Sequence, residues 1–450
     1  MKKIFILIIV IIAIGASFFA YKDALKILPF YSQLTQTRVS TETNLQVNEQ
    51  RDAHFVGSSK CVECHEDNHK SWSHSLHPKM IQDPIKNPSV VVADFSKLPS
   101  DANFLLKDAS YTVGGKFKQR FMMRKDINGT EDYVLGNYQW NVQTQKWQSF
   151  KPWKYWYKDA YPHDNKELPT SRACDGCHFT GFMSKEIRVE SGIGCESCHG
   201  PASNHVQNPD SKLYIASLSD PVRQNEVCLQ CHMRNRDKRL EDSNMSEIYG
   251  DARDYPFGYE AGKPLSQYKM VAPFVLGHET KEFYTNGMAK KNRSQGNEFV
   301  HSMKGKHGIT CINCHNPHTL EPTAEKNRGN DLCMDCHSFS SPIGPHQDSL
   351  SAHTRHKEDS KGSLCVECHM PKVARHTGKS PLTVRTHSFG FITPKETLAY
   401  KMPKETNACF ACHKNGKENG EAKEGTLGYR EMKTLQKDLE SWGMIGWDKR

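Results

Sequence analysis

All sixteen cysteines of this 450-residue chain fall into Cys-x-x-Cys pairs, and a histidine follows every pair directly, eight times over. The sites are Cys61/Cys64/His65, Cys174/Cys177/His178, Cys195/Cys198/His199, Cys228/Cys231/His232, Cys311/Cys314/His315, Cys333/Cys336/His337, Cys365/Cys368/His369 and Cys409/Cys412/His413. Two thiols at this spacing add across the two vinyl groups of one haem, and the next residue then lies beneath the iron as its proximal ligand. Zinc ribbons take cysteines in fours and have no use for a histidine fixed at the following position. A thioredoxin-like dithiol usually comes singly, on a βαβ unit. The pattern predicts eight covalently attached haem c groups, held by the sixteen cysteines and ligated by the eight motif histidines.

Cofactors on that scale also account for an awkward composition. Only 36% of the chain is hydrophobic, low for a protein of this length that must bury a large core. Porphyrins are large apolar plates, so they serve as core themselves, and the haem-free chain is expected not to fold stably. The formal charge of +9 does not indicate nucleic-acid binding, because no helix or arm concentrates the basic residues. Propionates of eight haems would take that charge to about −7, which makes many lysines and arginines propionate partners or plain solvated surface.

Met1, Lys2 and Lys3 precede a charge-free, almost wholly apolar run over residues 4–21, and charge resumes at Lys22 and Asp23. This is the pattern of an export signal. Ala13, Gly15 and Ser17 supply small residues for cleavage, but the run exceeds an ordinary signal core, and a retained inner-membrane anchor is the favoured reading. Everything from about residue 30 would then lie on the periplasmic side. No second long apolar stretch occurs in the sequence.

The intervals between motifs suggest an anchor over 1–30, a linker over 31–54, a haem domain over 55–415 and a C-terminal helix over 416–450. Cys174, Cys195 and Cys228, and then Cys311, Cys333 and Cys365, form two triplets of nearly equal spacing, a hint of duplication or of a recurrent packing module. The expected class is mainly α with extensive loops around stacked haems. A haem-free insert at about 100–165 is the exception: residues 117–124 and 133–140 flank an Asn128-Gly129 turn, and residues 146–150 offer a further strand, which together predict a small antiparallel meander near 115–150. The aromatic run of Trp140, Trp147, Trp153, Tyr155, Trp156, Tyr157 and Tyr161 is read as core and interface filling. Residues 234–300 are expected to be loops with short helices.

The 23 histidines are enough to give each iron a second one. Candidates for that distal position are His77, His205, His301, His307, His318, His353, His356 and His387. Met80, Met303 and Met370 are weaker alternatives, and His69, His163 and His376 are read as structural or surface residues.

Several strings resemble the multihaem cytochrome c superfamily of hydroxylamine oxidoreductase, the pentahaem and octahaem nitrite reductases, tetrathionate reductase and small tetrahaem electron-acceptor cytochromes. They are Phe55-Val56-Gly57 before Cys61, Trp72 with His77, Gly194 through Pro201 with His205, Gly308 through His318, Cys365 through Pro371, and Thr386-His387-Ser388-Phe389. The resemblance covers residues 55 to about 415 and implies haems stacked in close pairs, with His77, His205, His318 and His387 as distal ligands. The nitrite reductases it resembles mark their catalytic haem with a Cys-x-x-Cys-Lys motif, which is missing here. Fold-level kinship does not fix function. The preferred reading is a membrane-anchored electron carrier that exchanges electrons with redox partner proteins, among them quinol-oxidising membrane proteins. The alternative is an enzyme with one open haem that reduces a nitrogen or sulfur oxyanion or oxidises hydroxylamine. The sequence names no catalytic residue and no oligomeric state.

Overall fold

The computed structural model describes residues 53–413, apart from 128, 151–168, 185–186, 211–214, 238–254, 272–276, 281, 320–328, 346 and 377–380, together with residue 437. The chain divides into two compact units, Met1–Asp52 and Ala53–Arg450. The expected anchor, most of the linker, aromatic residues 153–161 and all but one residue of the expected C-terminal helix lie outside the described residues. Among the described residues, no helix is long and apolar enough to cross a membrane.

The largest regular element is a six-stranded antiparallel sheet. It consists of β1 (Ile81–Gln82), β2 (Ala109–Gly114), β3 (Lys118–Ile127), β4 (Thr130–Leu135), β5 (Tyr138–Asn141) and β6 (Lys146–Ser149). The strands lie in the order β1-β2-β3-β5-β6, and β4 also pairs with β3. The hairpin turn falls at the Asn-Gly step: Ile127 pairs with Thr130, Gly129 has φ 78°, and its N–H donates to Asp126 Oδ1 at 2.7 Å. Residues 133–140, read from sequence as one strand, divide at Gly136 and Asn137. A Cβ on Gly136 would lie 2.4 Å from the Phe104 ring, so only glycine lets that ring close over the sheet. Asn137 and Asn103 then lock the break by exchanging backbone N–H to side-chain bonds of 2.9 and 3.0 Å.

Period-two alternation along β3 gives the sheet two different faces. Phe121 and Met123 pack with Phe104, Ala109 and Val134 on one side, where Phe95 and Trp147 join them. Met122 faces the other way, into a cluster of Ile81, Val113, Leu135, Phe150, Ala173, Cys174 and Phe179. The second motif therefore rests directly on the sheet. Trp140, fully buried, and Trp147 are sheet-packing residues whose rings meet at 5.5 Å.

Outside the sheet, helices are short, and the longest described one is Pro221–His232. Two small hairpins follow motifs: β7 (Phe179–Phe182) with β8 (Arg188–Ser191), and β11 (Lys372–Ala374) with β12 (Val384–Arg385). Between them lies a pair formed by β9 (Asn235–Asp237) and β10 (Lys269–Val271) within the stretch expected to be loops and short helices. Strand is thus more prominent than the expected mainly α class allowed. The apolar core of the described residues forms separate clusters, not one mass. Beside them runs a cavity of about 2650 Å³, several times the ~300–1,000 Å³ of a site for one small ligand. Cysteines of the second to eighth motifs line it, among them Cys177, Cys231, Cys314 and Cys409. Apolar plates attached to those cysteines fit such a hollow as core.

Candidate haem centres and a cationic pocket

Each motif is a turn of helix. The histidine N–H donates to the carbonyl of the first cysteine at 2.8 Å in the first motif, 3.0 Å in the third, 2.9 Å in the fifth, 2.8 Å in the sixth and 2.9 Å in the eighth. Positions i, i+3 and i+4 then share one face, which presents two thiols and an imidazole to the same plate. None of the sixteen cysteines forms a disulfide.

Two attachment cysteines stand apart from the rest. Cys64 and Cys336 are exposed, whereas the other fourteen are buried or half-buried. The reason at Cys336 is local. The sixth-motif helix spans only Asp331–Met334, so Cys336 falls beyond its end beside the exposed Asp335, held by its N–H donating to the Cys333 carbonyl at 3.3 Å. Cys333 lines the cavity, and Cys336 lies outside that lining. A plate joined to both would have one thioether inside and the other at the surface, so this haem would be only partly core.

Five motif histidines face a second histidine ring. The centroid separations are 6.3 Å for His65 and His205, 6.3 Å for His199 and His318, 6.2 Å for His315 and His387, 6.3 Å for His369 and His353, and 6.1 Å for His413 and His356. Metal–imidazole bonds of about 2.0 Å on both sides, plus about 1.1 Å from each ring nitrogen to its centroid, give about 6.2 Å. The rings are thus spaced for one metal ion between them.

Tautomers agree with that geometry. The Nδ1 of His387 bonds the Arg385 carbonyl at 3.2 Å, that of His356 the Thr354 carbonyl at 2.6 Å, and that of His77 the Pro317 carbonyl at 3.1 Å. A carbonyl only accepts, so Nδ1 carries the proton and Nε2 keeps a lone pair for metal. Burial also pushes His199, His315, His318 and His353 below the usual histidine range, and His232, His369 and His387 down to about 4, which keeps them in the neutral, ligating form. His77 acts electrostatically on His232, which places it beside the fourth motif.

Motifs also touch one another. Cys61 and Cys195, Cys177 and Cys231, Cys228 and Cys311, and Cys333 and Cys365 lie near enough to act on one another. Cys198 lies within electrostatic reach of Cys228, Cys314 of Cys333 and Cys336, and Cys368 of Cys412. The first and third motifs are clamped further by carboxylates. Glu196 accepts from the N–H groups of Val56 at 3.0 Å, Gly57 at 2.8 Å and Ala202 at 2.8 Å, while Glu190 accepts from Ser58 Oγ at 2.8 Å. Gly194 makes room for this clamp, since a Cβ there would lie 2.1 Å from Glu190 Oε2.

These repeated attachment turns and metal-spaced ring pairs decide the family. The chain is a multihaem c-type cytochrome. Residues 303–341 match the family described as doubled CXXCH motif, and residues 134–200 that described as cytochrome c554 and c-prime. The dissimilatory sulfite reductase MccA of Wolinella succinogenes is 22% identical over 70% of this chain and 50% of its own length. The multiheme cytochrome MtrA of Shewanella baltica is 27% identical over 35% of this chain and 46% of its own. The chain thus spans about half the length of these curated relatives. The outer cell wall cytochrome OcwA has the same fold, with a TM-score of 0.63, 22% identity and 86% of each chain covered.

The second motif of this cytochrome differs from the others. The ring Nδ1 of His178 is buried, and the imidazole is held down to about 4, first by burial and then by the charges of Arg293, Arg120 and Lys118. Among the described residues no histidine ring stacks opposite it. Lys118 and Arg120 are two apart on β3 and so share a face, while Gln119 between them turns back to bond the Val90 carbonyl at 2.7 Å. Arg120 stands 3.8 Å over the Phe150 ring and donates to Gln139 Oε1 at 2.9 Å. Lys118 donates to the neutral His376 carbonyl at 2.9 Å, and burial, with Arg120 and Arg234, holds it well below the usual lysine range. The His376 ring lies flat on Phe117, with centroids 3.7 Å apart. Sequence reading treated His376 as a bystander and missed the cations; alternation of Lys118 and Arg120 along a strand before the second motif was the available signal.

On the other side of that motif, Arg188 of β8 bridges two fully buried carboxylates. It reaches Asp175 Oδ2 at 2.6 Å and Asp132 Oδ1 at 3.0 Å. Asp175 lies between Cys174 and Cys177, so the bridge ties the motif to strand β4.

Proposed function

We propose that the chain is an exported octahaem cytochrome c that conducts electrons to an open haem at the second motif, where a small oxyanion of nitrogen or sulfur is reduced. The observation that carries the open centre is the set of Lys118, Arg120 and Arg293, which line the cavity with His178 and act on it. In a site of low dielectric such charges favour an anion over a neutral ligand. The His376 ring beside the pocket is held down to about 4 by burial and the charges of Lys118 and Lys116, so at neutral pH it can relay a proton between neighbours but holds none to give as an acid. Removing an oxygen atom as water consumes equal numbers of electrons and protons, so both supplies are needed there.

The remaining centres follow the carrier reading. We assign His205, His318, His387, His353 and His356 as the distal partners of His65, His199, His315, His369 and His413, and His77 as that of His232. Haem supplies the one-electron transfers along the row. Contacts between motif cysteines support an order of first, third, fourth, fifth, sixth, seventh and eighth, with the second joined through the fourth. Redox proteins that oxidise quinol would load this row while the N-terminal segment holds it at the periplasmic face of the inner membrane; cleavage of that segment would leave a soluble periplasmic form.

Carbon monoxide added to the reduced holoprotein, made in a host that attaches haem c, tests the proposal. One haem equivalent is expected to bind it, and nitrite, sulfite or another small anion should perturb the same centre in the oxidised protein. A preparation with no haem that binds carbon monoxide overturns the open centre and leaves the carrier.

A further inference from the structure

The sixth motif has a lysine where the paired motifs have a histidine. His337 Nδ1 donates to the Ile343 carbonyl at 2.7 Å, so Nε2 holds the lone pair, and Lys304 Nζ lies 3.3 Å from that Nε2. Two nitrogens that share an intervening metal ion sit about 4 Å apart, from bonds of about 2.0 Å each. The four-carbon stem of lysine absorbs the small difference.

Three further features fix the lysine there. It belongs to the helix Met303–Lys306, whose start is capped by Ser302 Oγ accepting from Gly305 N–H at 3.1 Å. Its ammonium stands 4.5 Å from the Phe389 ring centroid. Phe389 adopts φ 58°, a left-handed conformation that costs a bulky residue energy and that aims this ring. The charge of Lys304 also acts on Cys314, Cys333 and His369, so its tip lies among the fifth, sixth and seventh motifs, and it lines the cavity with Cys333. Sequence reading favoured His301 and His307 in this same segment; the side chain that faces His337 is the one between them. A lysine serving only a propionate would be aimed at the edge of the macrocycle, away from the ring nitrogen of the proximal histidine.

We propose that Lys304 is the second axial ligand of the sixth-motif iron, giving a histidine/lysine centre among bis-histidine ones. The amine binds as the neutral base after releasing its proton to solvent, and no oxidant or reductant is involved. An amine ligand sets a different potential from a second imidazole, so this position on the row becomes a step and not a level stretch.

Near-infrared magnetic circular dichroism and EPR of the oxidised full-length holoprotein test this, with intact mass confirming full haem attachment in every variant. Attachment is the part that rests on the preceding proposal, and mass reports its failure separately. The wild type should show one haem equivalent with an amine-type charge-transfer band. Lys304→Arg keeps the charge but cannot ligate; it and Lys304→Ala should lose that band and gain one additional haem that binds carbon monoxide when reduced. Lys304→His should replace the band with a bis-histidine one, and this variant remains informative where Lys304→Ala fails to accumulate. Absence of an amine-type band in the wild type, or spectra unchanged by Lys304→Arg or Lys304→His, overturns the assignment.

Discussion

Replacing Arg188 by methionine tests how the second motif is held on its sheet. The Arg188 side chain is 9% exposed and those of Asp132 and Asp175 are 0% exposed, so removing the guanidinium leaves two carboxylates facing each other without water. Loss of one partner from such a buried arrangement costs about 3–5 kcal/mol. Methionine fills much of the volume between the Tyr133, Phe179 and Phe182 rings, which the guanidinium faces at 5.0, 5.6 and 5.2 Å, so most of the loss is electrostatic. A deficit of that size lowers the thermal midpoint by on the order of 6–10 °C at neutral pH. Its pH dependence has a defined sign. Burial raises Asp175 to about 6 even with Arg188 beside it, so Asp175 favours the folded state at pH below 3.8, and that contribution disappears as pH rises through 6. Without Arg188 the Asp175 carboxyl rises further, so it folds protonated at pH 5. The deficit should therefore be small at pH 5 and grow towards pH 8, and Asp132→Asn in the Arg188→Met background should recover part of it. Thermal unfolding of the holoproteins, followed by circular dichroism in the strand region, measures this. A variant as stable as wild type at pH 7.5, or equally weakened at pH 5 and pH 8, refutes the reasoning.

His205→Ala should leave haem content unchanged by mass, convert one low-spin haem to high-spin and add one haem equivalent that binds carbon monoxide; an unchanged spectrum would show that His205 does not serve His65. Because burial lowers the Lys118 ammonium below the ordinary lysine range, that charge is lost at lower pH than usual; anion affinity at the second motif should fall as pH rises towards the alkaline side, and Lys118→Gln should weaken it by about tenfold or more and flatten the profile, read by spectral titration with nitrite or sulfite. Chain expressed without haem attachment should show no cooperative unfolding transition by calorimetry, since its apolar clusters are separate and flank a cavity of about 2650 Å³.

The attachment motifs were legible because their chemistry is local: a helical turn brings i, i+3 and i+4 together wherever it occurs. The Asn128-Gly129 hairpin was legible for the same reason. How deeply each motif lies was not, since the spacing of Cys333 and Cys336 is that of every other pair and only the fold turns Cys336 outward. Ring pairings were hidden too, because sequence proximity misleads. His205 lies near His199 in the chain but faces His65, and His318 lies near His315 but faces His199. At the first and third motifs a histidine a few residues from the motif is held on the same side of the plate and the opposite partner comes from a distant segment, whereas His353, twelve residues ahead of Cys365, does face His369. Lys304 escaped because lysine is ordinarily a surface residue, and only the fold shows it directed at His337. The extra strands β1 and β2 lacked a turn signal of their own; they pair through long-range register, Ile81 with Val113 and Thr112 with Phe121.

Glu196 lies 140 residues beyond the Val56 amide it binds, and His205 comes later still. A chain that emerges amino terminus first therefore presents Cys61, Cys64 and His65 long before the groups that close over them. Haem joined to those thiols in the interval would keep one bare axial side, open to stray ligands and oxygen. The earliest centre to be built is thus among the last to be sealed, and a chain cut short before residue 205 would carry it permanently exposed.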